Sequence, residues 1–336
     1  MRALKLPLKI LRTRFYDQRP FILSHLLTAR CNADCLTCLW KRPADSRADE
    51  LSIDEISELY RQAASAGFQS LVLWGGEPMV RPDAGQALAV AADLGLDTTL
   101  ITNGYFLAER GDEVLPHLRR MLVSVDAIGP AHDRIRRCAG LFERLDRGLA
   151  LAQARYPRVS VVLICVLSRL NAEHLESVAA YAKERGLRVI FQAMNFSDYG
   201  FAERTLPETM VQLSAEEETR VADALVQLRK RGYPVRDSSA YLARLGQAAC
   251  AYRCHYKKVA LRVEPNGDIL DCTTTAEPLV SVRQTQLAGF LASDQFHEFI
   301  ARAEQCNRCR DTGVIEASHM WEGRAGAWLN AVRGLR

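Results

Sequence analysis

Several features that would place this chain in a specialised class are missing from its 336 residues. No apolar run approaches the length of a membrane span, since "SVVLICVL" (160–167) is strand-sized and flanked by charges. There is no low-complexity tract, and 48% hydrophobic and 25% charged residues are ordinary for a globular protein. The net charge of +4 is too small an excess to indicate a nucleic-acid partner. The sequence therefore predicts one large globular domain with a smaller one beside it.

A secretory signal is also missing, which matters because the chain has ten cysteines. Lys9, Arg12 and Arg14 interrupt the apolar residues of the basic N-terminus. We therefore expect a cytoplasmic, reducing location. In such a compartment, clustered cysteines more often bind metal or take part in catalysis than form disulfides.

Short apolar strands alternate with helical patterns from Phe21 to about Gln192. Six strands separated by helices indicate parallel β/α units that are buried on both faces. A closed or partly closed barrel fits this pattern as well as an open sheet, and ligands are expected at the carboxyl ends of the strands. The predicted strands are 21–28, 70–74, 98–102, 120–126, 159–167 and 187–193, and the predicted helices are Ile53–Ala66, Gly85–Leu94, Phe142–Arg155 and Ala172–Arg185.

The pattern changes after Asn195. Residues 197–214 are polar and are predicted to form a long loop, followed by a helix over Ala215–Arg231. "KVALRVEPNGDILDC" (258–272) predicts a hairpin with its turn at Asn266-Gly267. We place a domain boundary near residue 235, and further helices are predicted over Ser293–Glu304 and His319–Val332.

Three cysteines directly follow the first predicted strand, in "CNADCLTC". Cys31, Cys35 and Cys38 therefore lie on a loop at the carboxyl end of a strand. Three thiolates suit a soft metal or an iron–sulfur cluster, and a four-iron cluster held by three cysteines keeps one iron open. Structural zinc is the alternative, although no return pair of His or Cys follows nearby.

A second group of cysteines lies in the C-terminal third of the chain. The hairpin brings together its two ends, which carry Cys254 and Cys272, and Cys306 and Cys309 form a C-x2-C pair. Four thiolates complete the ligand set of a four-iron cluster or of a zinc ion. Cys250 lies four residues before Cys254. It could replace a cluster ligand or donate a hydrogen atom, and it is most simply an idle thiol.

The ordered motifs of the first half resemble those of the radical S-adenosylmethionine (SAM) enzymes. C-x3-C-x2-C follows the first strand, "GGEP" (75–78) the second, "TNG" (102–104) the third and "SVD" (124–126) the fourth. The resemblance covers about residues 21–195 and implies a partial (β/α)6 TIM-like barrel. It also implies a [4Fe–4S] cluster on Cys31, Cys35 and Cys38, whose open iron chelates SAM.

The same resemblance implies the residues that contact SAM. Glu77 would accept the amine, and Arg136 would pair with the carboxylate. The remaining implied contacts are Gly75, Gly76 and Pro78 at the second strand end, Asn103 and Gln192 for ribose and adenine, and Ser124 and Asp126 for ribose or carboxylate. One departure is Thr37, which stands where the family usually has an aromatic residue that packs near adenine; Trp40 follows shortly after.

The C-terminal cysteine spacing, C-x12-G-x4-C followed by C-x2-C, resembles the twitch extension, a shortened relative of the SPASM domain. It implies a small α+β domain, a hairpin plus helices, that holds one auxiliary [4Fe–4S] cluster with four protein ligands. The predicted domains are thus an N-terminal helix (1–20), a radical SAM core (21–235) and an auxiliary-cluster domain (236–336).

The basic N-terminus has an amphipathic helical pattern, with Leu4, Leu8, Leu11 and Phe15 on one stripe. Such a helix either packs on the barrel or makes weak peripheral contact with an anionic membrane through residues 1–15.

The resemblance implies an oxidoreductase-type radical enzyme that splits SAM to a 5′-deoxyadenosyl radical and abstracts hydrogen from a substrate carbon. We expect net oxidation or rearrangement of a small or lipid-like metabolite, a flavodoxin- or ferredoxin-type electron donor and no nucleic-acid partner. A peptide maturase is the alternative, although the stretch ahead of Cys31 is too short for a winged-helix peptide-binding domain. An iron–sulfur electron carrier or a zinc-stabilised binding module would be a different class of protein. No catalytic side chain is predicted.

Overall fold

The computed structural model describes residues 19–38, 49–194, 207–246, 252–270, 278–307, 309–324 and 326–327. The predicted N-terminal helix, Trp40, Cys250 and Cys272 lie outside these residues.

Six parallel strands form the core of the sheet, as the sequence predicts. Each strand pairs with its neighbour in the sequence, so the spatial order from β1 to β6 is the order along the chain. This is the open, partial barrel implied by the resemblance. The strands are β1 (Ile22–Thr28), β2 (Ser70–Gly75), β3 (Asp97–Thr102), β4 (Arg120–Ser124), β5 (Ser160–Leu167) and β6 (Arg188–Ala193).

Six helices follow the strands β1 to β5, two of them after β4, and two of the six were not predicted. The helices Leu107–Val114 and Pro130–Arg136 are only 8 and 7 residues long, too short to give a clear apolar period. The six helices of the core are α1 (Ile53–Ser65), α2 (Ala84–Asp93), α3 (Leu107–Val114), α4 (Pro130–Arg136), α5 (Leu141–Arg155) and α6 (Leu175–Glu184). A capping box starts α1: Ser52 and Glu55 each accept the other's backbone N–H.

The two faces of the sheet differ in burial. In β4 and β6, fully buried residues such as Met121, Val123 and Phe191 alternate with half-buried ones. The buried set belongs to the main hydrophobic core, under the helices. The half-buried set, which includes Leu122 and Ile190, therefore lines the concave inner wall of the half-barrel.

The predicted C-terminal hairpin is present, but it does not form a separate sheet. β7 (Ala260–Val263) and β8 (Asp268–Leu270) are antiparallel, with Gly267 at φ 90° in the turn, and β9 (Pro278–Ser281) adds a third strand. β7 pairs in parallel with β1, so one sheet of nine strands runs β6-β5-β4-β3-β2-β1-β7-β8-β9. The domain division at residue 235 stays a prediction.

The other helices surround this extension. They are α7 (Glu208–Val211), α8 (Ala215–Lys230), α9 (Ser239–Leu242), α10 (Leu287–Leu291), α11 (Asp294–Glu304) and α12 (Thr312–Trp321). The predicted loop over 197–214 is wrong at α7. The predicted start of the last helix at His319 is also wrong, because Asp311 caps the helix by accepting the N–H of Val314 (3.0 Å). None of the helices described combines the length and apolarity needed to cross a bilayer.

Candidate active site

The cysteine loop begins where β1 ends and is held by backbone contacts on two sides. Gly76 N–H donates to Thr28 O and Glu77 N–H donates to Arg30 O, both at 2.9 Å. On the other side, Leu36 N–H donates to Ile135 O of α4, also at 2.9 Å. The loop is therefore fixed between the carboxyl end of β2 and α4.

Gly75 and Gly76 make this approach possible. A Cβ on Gly75, at φ 143°, would lie 2.3 Å from Thr28 O, and a Cβ on Gly76 would lie 2.2 Å from Arg30 O. No side chain fits at these distances. The sequence predicts that a backbone segment comes close to these two glycines. In the structure that segment is the start of the cysteine loop.

None of Cys31, Cys35 and Cys38 is in a disulfide, and their thiols lie close enough to repel one another when ionised. Desolvation is the main reason why the pKa of Cys31 rises to about 12 and that of Cys35 to about 11. Loading a metal centre here must therefore displace protons, because thiolates are the ligands.

Positive charge faces these thiols. The guanidinium of Arg136 acts on both Cys31 and Cys35, which favours their ionised forms. Burial opposes the charge of Arg136, but Asp126 and the cysteines outweigh it and raise the pKa of Arg136. Three converging thiols beside a buried cation fit an anionic cluster, so the residues present suit the [4Fe–4S] group.

Asn103 lies against the same loop. Its Nδ2 donates to Asn32 Oδ1 (2.9 Å) and approaches Cys31 Sγ (3.9 Å), while its Oδ1 accepts the N–H of Tyr105 (2.9 Å). Ala33 N–H also points to Cys31 Sγ (3.4 Å). The structure thus places Asn103 beside the thiol, and its predicted ribose or adenine contact stays a prediction.

Glu77 is fully buried and links the ends of β2 and β3. Its carboxylate accepts hydrogen bonds from the Thr102 hydroxyl (2.9 and 3.0 Å), from Asn103 N–H (2.7 Å) and from Met79 N–H (3.0 Å). Burial raises the pKa of Glu77 to about 7 in spite of these donors. Pro78 is buried at the start of the short turn that follows.

Asp126 has two partners in the structure. Its Oδ2 accepts Arg136 Nε–H (2.7 Å), and its Oδ1 accepts Val166 N–H (3.0 Å). Asp126 and Arg136, which the resemblance assigns to SAM, therefore pair with each other. Ser124 is half-buried on the inner wall at the end of β4.

The segments that follow two of the C-terminal cysteines, Cys254 and Cys309, also contact the inner wall. Gln192 Nε2 donates to Asp311 Oδ2 (3.0 Å), two residues after Cys309. Tyr256 hydrogen-bonds Ser24 on β1, and the indole N–H of Trp74 donates to the same Ser24 hydroxyl (2.8 Å). The sequence analysis missed Asp311 and Tyr256; the only local signal was the position of Asp311 directly before a helical pattern.

Three of the four predicted auxiliary ligands are described. None of Cys254, Cys306 and Cys309 is in a disulfide, and Cys254 N–H donates to Cys306 O (3.1 Å). The Tyr252 hydroxyl donates to Cys309 O (3.0 Å), which positions the C-x2-C turn. Within the described residues, no three His, Cys, Asp or Glu side chains are placed to hold one metal ion. A [4Fe–4S] cluster does not require its ligands to meet at one ion, because each thiolate binds a separate iron.

The model of the radical SAM superfamily matches residues 26–182, which contain the cysteine loop, Glu77, Asn103 and Asp126. This chain contains a radical SAM domain. Proteins of this family use a [4Fe–4S] cluster and SAM.

Curated relatives match different shares of the chain. AdoMet-dependent heme synthase from Methanosarcina barkeri is 34% identical over 174 residues, 50% of this chain and 48% of that protein. PqqA peptide cyclase from Rhizobium meliloti is 27% identical over 310 residues, 86% of this chain and 79% of that protein. The chain spans about half the length of the first curated relatives that it matches.

The fold is also found among solved structures. SuiB of Streptococcus suis, crystallised with S-adenosylmethionine, aligns with a TM-score of 0.66 at 16% identity. The alignment covers 84% of this chain and 68% of that chain, so the likeness extends beyond the radical SAM domain. At this identity it concerns the fold alone.

Proposed function

We propose that this protein is a radical SAM enzyme that removes hydrogen from a carbon of a small or lipid-like metabolite, with net oxidation or rearrangement. The observation that carries the proposal is the loop of Cys31, Cys35 and Cys38, which follows β1 and is fixed between the end of β2 and α4, with Arg136 beside it. The cluster, when bound, supplies the electron that splits SAM into methionine and a 5′-deoxyadenosyl radical.

The chain's own residues hold and shield this centre. Cys31, Cys35 and Cys38 would be the cluster ligands, and Arg136 would offset the negative charge of the cluster. Glu77 has three protein donors for about four lone-pair positions, so it keeps one position for the SAM amine. The inner wall, apolar at Leu122, keeps water away from a reacting carbon.

We further propose a second cluster on Cys254, Cys272, Cys306 and Cys309. With four protein ligands, this cluster would have no open iron. It would therefore not bind the substrate but would accept an electron from it. Asp311, two residues after Cys309, and Tyr256, two residues after Cys254, both contact the inner wall. A cluster held by these cysteines would lie near a substrate on that wall, which supports net oxidation. We also propose a reducing compartment and a flavodoxin- or ferredoxin-type electron donor for the first cluster.

A peptide is the second candidate substrate. PqqA peptide cyclase is matched across 86% of this chain and 79% of its own length, a larger share than the radical SAM domain alone. The two candidates separate when the reduced protein and SAM are incubated with a cell metabolite extract or with ribosomally made peptides. A mass change of two hydrogens in one pool decides between them.

The test of the proposal is anaerobic reconstitution with iron and sulfide, followed by dithionite and SAM. We expect about eight irons per chain, half of them lost when Cys31, Cys35 and Cys38 become Ala. The variant with Ala at Cys254, Cys306 and Cys309 should also lose half, yet still form 5′-deoxyadenosine. Cys138→Ala is the control, with full iron content. No 5′-deoxyadenosine from the wild-type protein would reject the enzyme.

A further inference from the structure

The segment with the first three cysteines leaves β1 after Thr28 and comes back toward α1 at Glu50, and its two ends meet. The Thr28 hydroxyl donates a hydrogen bond to Glu50 Oε1. Arg30, directly before Cys31, donates to both oxygens of the same carboxylate, from Nη2 to Oε2 (2.9 Å) and from Nε to Oε1 (3.4 Å). We call residues 29–49, which lie between these ends, the ligand segment.

Thr28 also binds Arg30 directly. Its hydroxyl oxygen accepts the backbone N–H of Arg30 (3.0 Å) and the Nε–H of the side chain (3.3 Å). Thr28, Arg30 and Glu50 therefore form one closed set of hydrogen bonds. Thr28 is fully buried and the side chain of Glu50 is 9% exposed, so these charge-assisted bonds are largely shielded from water.

Arg81 holds the backbone on both sides of this contact. Its Nη1 donates to Leu27 O (3.3 Å) and to Leu51 O (3.0 Å), and it lies 3.6 Å from Glu50 Oε2. Burial opposes the charge of Arg81, but its hydrogen bonds to Asp83 and the charges of Asp83 and Glu50 outweigh burial and raise the pKa of Arg81. Arg81 is therefore a permanent cation next to the Glu50 carboxylate.

The elements at the two ends have other supports. β1 is held in the sheet by β2 and β7, and α1 has its own capping box at Ser52. The contact between Thr28, Arg30 and Glu50 therefore constrains the ligand segment more than it constrains either element. A segment whose ends are closed before its ligands bind has less conformational entropy left to lose on binding.

We propose that Glu50 is a positioning residue for the first cluster. Through Thr28 and Arg30 it closes the ligand segment, and this holds the three thiols near one another before the cluster forms. Arg30 O also accepts Glu77 N–H (2.9 Å), so the same contact helps to set the cysteine loop against the end of β2. The inference rests on the first cluster of the proposed function, and not on the substrate.

The experiment measures how fast the reconstituted protein loses its first cluster. The dithionite-reduced protein is incubated with EDTA, and the electron paramagnetic resonance signal that responds to SAM is followed over time. In Glu50→Gln this signal should decay about tenfold faster than in the wild type, because the neutral amide makes no charge-assisted bonds and accepts with one oxygen only. The signal of the second cluster is the reference and should decay as in the wild type, whereas a general loss of stability would speed the decay of both.

A double-mutant cycle shows whether Glu50 acts through Arg30. Arg30→Gln should also speed the decay about tenfold, and the double variant should decay no faster than the faster single variant, because both changes remove one contact. Independent effects would multiply to about a hundredfold. Glu58→Gln is the matched control: Glu58 forms an exposed pair with Arg61 on α1, away from the ligand segment, so its variant should decay as the wild type does.

Four results would overturn the proposal. They are wild-type decay in Glu50→Gln, equal acceleration of both cluster signals, a hundredfold acceleration in the double variant, and the same acceleration in Glu58→Gln as in Glu50→Gln. Should Glu50→Gln not fold, Thr28→Val decides, because it removes only the hydroxyl that joins Glu50 to Arg30. Faster loss of the SAM-responsive signal in Thr28→Val supports the proposal, and loss at the wild-type rate refutes it. The proposed function fails separately, if the wild type holds its clusters but forms no 5′-deoxyadenosine.

Discussion

Glu77 and Asn103 connect strand ends to the cysteine loop, in addition to any contact with SAM. Glu77 joins β2 to β3 through Thr102 and Asn103, and Asn103 in turn reaches Asn32 and the thiol of Cys31. Side chains expected to meet a ligand are thus also part of the scaffold that positions the thiols. Hydrogen bonds to a cluster sulfur are one of the factors that set its reduction potential.

The first prediction concerns Asn103→Ala. Loss of the Nδ2–H beside Cys31 Sγ should make the cluster harder to reduce, because an N–H donor stabilises the more negative, reduced form. The measurement is a redox titration of the cluster followed by electron paramagnetic resonance. Asn266→Ala is the control, since Asn266 lies in the hairpin turn, where its side chain contacts Asp268 and not the cysteine loop. An unchanged potential with a weakened affinity for SAM would instead support the predicted nucleotide contact.

At the scale of single residues, the sequence predicted which cysteines and motifs follow which strands, because their spacing along the chain is local information. It did not specify the partners of Asp126 and Arg136, nor the contact of Gln192 with Asp311. Those pairs depend on how distant strand ends meet, and a single sequence does not carry that geometry.

Among the elements, the end of β2 has the tightest packing constraint near the site. Gly75 and Gly76 lie against the backbone of residues 28–30, with no room for a methyl group. The loop of Cys31 therefore takes its position from the contact between two neighbouring strand ends.

The second prediction follows from this contact. Gly76→Ala should displace the loop start, lower the iron content and destabilise the fold by about 1–3 kcal/mol, the usual range for overpacking. Gly289→Ala is the matched control, because a Cβ there meets nothing within 4 Å. Iron analysis and thermal unfolding measure both effects. Full iron loading in Gly76→Ala would show that the loop tolerates the shift.

The elements also show why the sequence prediction was incomplete. The Asn266-Gly267 turn predicts the hairpin because its chemistry is local. Nothing local indicates that β7, a strand of four residues, pairs with β1 near the other end of the chain. Long-range strand pairing is the part of a fold that single-sequence patterns do not encode.

On the scale of the whole molecule, three buried histidines make folding sensitive to acid. Burial, with Arg81 nearby, lowers the pKa of His25 to about 3, and its Nδ1 lies 2.8 Å from the Tyr60 hydroxyl. Burial also lowers the pKa of His132 and of His319 to about 4. The unfolded chain, with histidine pKa values near 6.5, then binds more protons than the folded one.

The third prediction is the pH dependence that results. The histidine contribution to stability should be fully present above about pH 6.5 and be lost as the pH drops, by about 1.4 kcal/mol per unit for each histidine. Buried carboxyls with a pKa raised to about 7, such as that of Glu77, contribute with the opposite sign over the same range. Guanidinium unfolding of the cluster-free protein between pH 7 and 5 measures the slope. His25→Gln should reduce the slope by about 1.4 kcal/mol per pH unit, whereas His297→Gln, on an exposed position of α11, should leave it unchanged. Equal slopes in the wild type and in His25→Gln would contradict the assignment of His25 as neutral.

The pairing of β7 with β1 has a consequence for dividing this chain. β1 has a neighbour on both sides, β2 and β7, and it leads directly into the cysteine loop. A chain cut before the hairpin would leave one side of β1 as a bare row of amide and carbonyl groups, open to pairing with another molecule. The C-terminal hairpin therefore supports the strand from which the loop of Cys31, Cys35 and Cys38 begins.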